Sequence, residues 1–211
     1  PLLSGTFDFD GTGDYITLSS TTTLERSSST LSWWMNPEAD GGIFNDLGGT
    51  GGSTYSHFEL REGGSRLYGE TNSNCNEFDF HNVSVPFGKM SHYALVFENS
   101  KVYLYIDGNY WGEATDYGSL SCGGEDASEL LSNVDIRYLA AETYQSNFDG
   151  LMDEISVWNK ALSESEIVEL YHAGTERYVA SFDLKNDSTD FLSDLVVNSN
   201  SEKFYSPILN N

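Results

Sequence analysis

The pattern that most restricts this chain is a two-residue alternation of apolar and polar side chains, repeated in short runs along most of its length. Phe7-Asp8-Phe9-Asp10 sets both phenylalanines on one side of an extended backbone and both aspartates on the other. Leu31, Trp33 and Met35 share a face of the run that Pro37 ends. His57 to Arg61 and Arg66 to Glu70 flank a Gly63-Gly64 turn and read as a hairpin. Ser91 to Phe97 and Lys101 to Ile106 make the next pair; Asp107-Gly108 is a tight turn, and Tyr110 to Ala114 pairs back. Tyr15 to Leu18, Asp135 to Ala140, Phe148 and Ile155 to Trp158 complete the series. Short strands at regular spacing with Gly and Asp turns predict an all-β fold, an antiparallel β-sandwich or jelly roll.

One helix interrupts the strands. Ser163-Glu164-Ser165-Glu166 is a capping box ahead of Ile167, Leu170 and Tyr171, and Gly174 reads as its stop, giving a short C-terminal helix of about two turns. The expected organisation is a domain over residues 1–174 and a polar arm or linker over 175–211 that reaches toward a neighbour. Within that arm Tyr178 to Phe182 and Leu195 to Val197 have the character of an extra edge strand, the competing reading of the segment. The chain opens Pro1-Leu2-Leu3 with neither Met nor signal peptide, which reads as a piece of something longer.

Charge narrows the function classes. Asp and Glu number 33 against 10 Lys and Arg, a formal net charge of −23. Nucleic acid and anionic membrane surfaces both need clustered cations, so neither is an expected partner. No apolar run is long enough to span a membrane. An aromatic content of 14% argues against a disordered acidic segment. The surplus of hard oxygen ligands instead suits divalent cations, calcium above all. Cys75 and Cys122 sit in polar stretches outside any zinc-ligand spacing; they read as a disulfide closing a long loop or as two separate thiols.

Catalytic signatures are missing from the sequence. Glycan hydrolysis on one strand needs acids spaced roughly Glu-x-Asp-x-x-Glu; no such run occurs, and Asp153-Glu154 sets its two acids on opposite faces. His57, His81, His92 and His172 have no Ser or Cys partner motif, so the chain is not expected to be an enzyme. Binding is the live alternative. Trp34 alternates away from Trp33 and Met35, and Tyr68, Tyr110 and Trp111 lie on neighbouring strands; Trp34, Tyr68 and Trp111 are candidate platforms for the apolar face of a sugar ring, against the alternative that they fill a core. Arg61 and Arg66 suit an acidic sugar or simple solvation.

Four segments in order then resemble a known family. They are Phe9-Asp10-Gly11 with Asp14-Tyr15-Ile16; Thr30 to Pro37; His92 to Phe97 leading to Val102 to Gly108; and Phe148-Asp149-Gly150-Leu151-Met152-Asp153-Glu154-Ile155 through Ser163, followed by Glu166-Ile167. Together they resemble a laminin-G-like (pentraxin-like) domain of the concanavalin A-like lectin/glucanase superfamily, over about residues 5–174. One departure is Met90-Ser91, where the family often has Trp. The resemblance implies a concanavalin A-like jelly roll with its first and last strands side by side. It also implies that Asp10 and Asp14 approach Asp153 as a structural calcium site, unless they are ordinary turn and surface residues. The function expected is a noncatalytic, calcium-stabilised carbohydrate-binding or adhesion module, extracellular or on a cell or virion surface. The alternative is a structural assembly module of a virion, filament or adhesin that meets a neighbouring protein subunit rather than glycan.

Overall fold

The computed structural model describes residues 6–46, 56–71, 76–115, 133–141 and 147–183. Its strands form two six-stranded antiparallel sheets. Sheet A runs β1 (Phe7–Asp10), β12 (Asp149–Trp158), β3 (Ser28–Pro37), β8 (Ser91–Glu98), β9 (Lys101–Ile106), β10 (Asn109–Glu113). Sheet B runs β2 (Ile16–Leu24), β11 (Val134–Leu139), β4 (Gly41–Asp46), β5 (Ser56–Arg61), β6 (Arg66–Thr71), β7 (Asn76–His81). The expected β-sandwich is therefore present, and its first and last strands are adjacent: Phe9 pairs with Gly150 and Asp10 with Asp149.

Alternation does the sorting. Leu31, Trp33 and Met35 of β3 and Tyr93, Leu95 and Phe97 of β8 point between the sheets, against Phe44, Phe58, Leu60, Leu67, Phe78 and Phe80 of sheet B. Trp33 is the hub, edge-on to Phe44 at 5.0 Å and to Phe58 at 5.9 Å, and stacked on Tyr93 at 5.6 Å. Gly69 pairs with Phe78 across β6 and β7, and the Phe78 ring occupies the space that a side chain at 69 would take.

Two strands escaped the sequence reading. β4 opens with Gly41-Gly42, which resembles a turn, and its Ile43-Phe44 breaks the alternation. A bulge between Gly42 and Phe44 turns both apolar residues inward, each at most 2% exposed. β7 does alternate in Glu77-Phe78-Asp79-Phe80-His81, but it directly follows the polar Asn74-Cys75 stretch.

The helix α1 (Glu164–Asp183) starts as expected: Ser163 N–H donates to Glu166 Oε2 at 2.9 Å, and Glu166 N–H donates back to Ser163 Oγ at 3.4 Å. The Lys160 ammonium and these Ser163 contacts hold the Glu166 carboxyl down at about 2. Ile167 and Leu162 pack on Ala94 and Val96, the outer face of sheet A. The helix does not stop at Gly174, which corrects the two-turn expectation, and Tyr178 to Phe182 continue it rather than forming a strand. Gly174 lies against the Trp34 indole, where a Cβ would overlap the ring. Close approach, not chain termination, explains the glycine. In an open helix Gly→Ala stabilises by about 1 kcal/mol. Here Gly174→Ala is expected to destabilise by about 1–3 kcal/mol through overpacking, read by thermal unfolding. A gain in stability would show that this turn does not dock on Trp34. Residues 184–211, the remainder of the expected arm, lie outside the described residues, as do Cys75 and Cys122.

Candidate functional site

The outer face of sheet B is where polar chemistry collects. In β5, Phe58 and Leu60 turn to the core, so His57, Glu59 and Arg61 share the opposite face. Register then dictates their neighbours. His57 pairs with Glu70, Glu59 with Tyr68 and Arg61 with Arg66; one strand further, Glu70 pairs with Glu77, Tyr68 with Asp79 and Arg66 with His81. On the other side, Asn45 of β4 pairs with both His57 and Tyr138 of β11. Alternation that builds the core thus builds a second array behind it.

This array is buried. Asn45, Glu59 and Asp79 are each 1% exposed, Glu70 4%, and His57 and Tyr68 5%. His57 Nε2 stands between two carboxylates, 3.3 Å from Glu59 Oε1 and 3.7 Å from Glu70 Oε2. The Tyr68 hydroxyl donates to Glu70 Oε2 at 2.9 Å. Both guanidinium groups lie on the Tyr68 ring, Arg61 Cζ at 4.0 Å and Arg66 Cζ at 5.0 Å from its centroid. Arg61 is ion-paired with Glu59, and Arg66 Nε donates to both Asp79 oxygens at 2.8 and 3.1 Å. His81 Nε2 adds a contact to Asp79 at 3.3 Å.

These contacts tune the groups. Burial raises the Glu59 carboxyl pKa, but the His57 and Arg61 contacts together outweigh it and leave it below its ordinary value. A carboxylate held ionised in this way is poorly suited to donate a proton to a leaving group. The Asp79 contact raises the Arg66 pKa above its usual range. Burial, then the neighbouring Glu70 and Glu77 carboxylates, push the Tyr68 phenol up, so it remains a hydrogen-bond donor. The array offers carboxylate and amide acceptors beside phenol, guanidinium and amide donors, all preorganised by the sheet.

The aromatic platforms expected from sequence do not come together. Trp34 is on the outer face of sheet A, 4% exposed, stacked on Tyr171 of α1 at 5.8 Å and covered by Gly174. Tyr68 sits inside the array, its ring already occupied by two arginines. Trp111, on the edge strand β10, is 38% exposed and edge-on to Phe80. Arg61 and Arg66 are not simply solvated: each has a buried carboxylate partner.

The calcium set does not assemble either. Asp10 pairs with Asp149, and Asp153 lies four residues further along β12, about 13 Å at the strand rise. Asp153 Oδ1 accepts from the amide of Glu154, which has φ 50° beside the β12 bulge. Asp10 Oδ1 accepts from the Thr12 amide in the exposed turn toward Asp14. Calcium oxygens lie 2.3–2.6 Å from one ion, so Asp10, Asp14 and Asp153 do not fit a shared coordination shell. Among the described residues no three His, Cys, Asp or Glu side chains are grouped to hold a metal ion.

Sequence reasoning missed Asn45, His57, Glu59, Glu70 and Asp79 as a set. The available signal was acids and histidine alternating with Phe in His57-Phe58-Glu59 and Glu77-Phe78-Asp79-Phe80-His81, on either side of Arg66-Leu67-Tyr68-Gly69-Glu70.

Residues 10–168 match the laminin G 3 family model, described as concanavalin A-like lectin/glucanases superfamily. No curated protein matches the sequence. Among solved structures, the native heptameric SAP-like pentraxin from Limulus polyphemus is similar at 15% identity and TM-score 0.56, covering 80% of this chain and 82% of that one. Domains LG4-5 of the mouse laminin α1 chain are similar at 14% identity and TM-score 0.53, covering 77% of this chain and 44% of that one. Likeness at such identities shows a shared fold.

Proposed function

The chain belongs to the laminin G 3 family of the concanavalin A-like lectin/glucanases superfamily, and from that membership we propose that it is a noncatalytic carbohydrate-binding module working outside the cell. The observation that carries this reading is the buried array on the outer face of sheet B, centred on His57, Glu59, Tyr68 and Glu70. Folding alone does not call for it. Burying ionised groups costs more than leaving them in water, and apolar residues of similar volume would hold the sheet at least as well. A preorganised set of donors and acceptors is what recognition of sugar hydroxyls requires. Glu59, held ionised by His57 and Arg61 against the effect of burial, supports binding over hydrolysis. The acid surplus disfavours nucleic acid, and no helix among the described residues is long and apolar enough to cross a membrane.

The test is retention on a broad array of immobilised glycans, with release by free sugar. Binding to at least one class is expected, and Glu70→Gln, which disturbs the Tyr68 and His57 contacts, should weaken it about tenfold. Loss of binding on Trp111→Ala but not on Glu70→Gln would move the contact to the β10 edge. Absence of binding across all classes would leave the module as an assembly element that meets protein.

A further inference from the structure

We propose that Asn45 is the hydroxyl-reading residue of this site, with Tyr138 and Tyr15 as the stacking surface beside it, and that the sugar it reads is uncharged. The inference rests on the carbohydrate reading above and adds to it the position and the ligand class.

Asn45 is 1% exposed, and neither Nδ2 nor Oδ1 has a hydrogen-bond partner. Glu59 and Arg61 also carry buried atoms outside any hydrogen bond, but the two are ion-paired with each other; Asn45, which is uncharged, has no such partner. Buried side-chain amides are ordinarily paired, and leaving one unpaired costs its full desolvation. Its pairing with His57 on one side and Tyr138 on the other puts the amide on the array's face of the sheet. One donor group and one acceptor on a rigid strand match a sugar hydroxyl, which both gives and accepts.

Beside it lies the open end of the same face. Tyr138 is half-buried and meets Tyr15 edge-on at 6.0 Å, and Tyr15 is 54% exposed. Thr17, opposite Tyr138 on β2, is exposed as well. An aromatic pair next to an unsatisfied amide provides the two contacts a pyranose needs, one for its C–H face and one for its hydroxyl edge.

Charge sets the class. Glu59, Glu70, Glu77 and Asp79 face the array against Arg61 and Arg66, both already held by carboxylates, and Arg137 at the β11 bulge is the remaining arginine or lysine on the strands of sheet B. Four carboxylates against three arginines, in a chain of net charge −23, repel a sugar that carries its own carboxylate or sulfate.

Titration of the full chain with neutral oligosaccharides (gluco-, galacto-, manno- and xylo-configured) and with sialylated and uronate-containing ones tests both parts. At least one neutral oligosaccharide is expected to bind, more tightly than any acidic one. Asn45→Ala should weaken that binding tenfold or more while leaving the thermal midpoint unchanged or raised, because it removes an unpaired buried amide. Tyr15→Ala, at an exposed position, should weaken it at least threefold without relying on the buried site. Neutral binding untouched by both variants would overturn the position and leave the carbohydrate reading standing. Preference for acidic sugars would overturn the ligand class. No binding to any oligosaccharide would overturn the carbohydrate reading itself.

Discussion

Trp33→Ala is expected to lower the unfolding free energy by about 3–5 kcal/mol, and the midpoint of thermal unfolding by on the order of 10 °C. Trp33 is fully buried and touches both sheets, packing edge-on to Phe44 and Phe58 of sheet B and flat on Tyr93 of its own sheet. Its removal deletes the largest inward side chain at the centre of the sandwich and leaves a cavity that close-packed strands cannot collapse to fill. The consequence reaches the candidate site, because Phe44 and Phe58 are the chain neighbours of Asn45 and His57 on the opposite face. Denaturant unfolding of the variant checks the magnitude, and a loss under about 1 kcal/mol would show that Trp33 does not bridge the sheets.

The second large effect is a loss of stability on mild acidification that originates in His92. This residue is 2% exposed on the outer face of sheet A, its ring 5.4 Å from Trp34 and 6.3 Å from Tyr171. Burial pulls its pKa from 6.5 down to about 4, against the opposing pull of Asp107. The native imidazole is therefore neutral where the unfolded one takes up a proton. Stability is complete above about pH 6.5, falls as the pH drops, and levels off below about 4, where the native form is protonated too. At about 1.4 kcal/mol per pKa unit the loss is on the order of 3 kcal/mol. His92→Phe, which keeps a ring between Trp34 and Tyr171, should remove that share of the decline between pH 7 and pH 4. Parallel declines in the two proteins would show that His92 is not a buried neutral group.

How much of this was legible before the structure depends on the range of the physics involved. Strand faces follow from side-chain alternation within five or six residues, so the inward set of Leu31, Trp33 and Met35 was readable, whereas Phe44 and Phe78 lie on the two strands that were not read. The capping box of Ser163 and Glu166 is equally local and starts α1 where expected. Gly174 misled for the opposite reason: its role is set by Trp34, 140 positions away in the chain, which no helix-end signal contains. Similarly, Asp10 and Asp153 do belong to adjacent strands, but the pairing of Asp10 with Asp149 leaves Asp153 four residues out of reach.

The sequence by itself determined the class of fold, the approximate strands, the inward face of most of them and the start of the helix, because each depends on backbone periodicity and contacts a few residues apart. The tertiary structure alone decided which outward residues became buried partners. Registers of β4, β5, β6 and β7 brought Asn45, His57, Glu59, Tyr68, Glu70 and Asp79 into one array, and the docking of α1 covered Trp34 with Tyr171 and Gly174. Pairing register and burial are properties of strands and helices meeting one another, and a one-residue slip would scatter the same side chains across both faces.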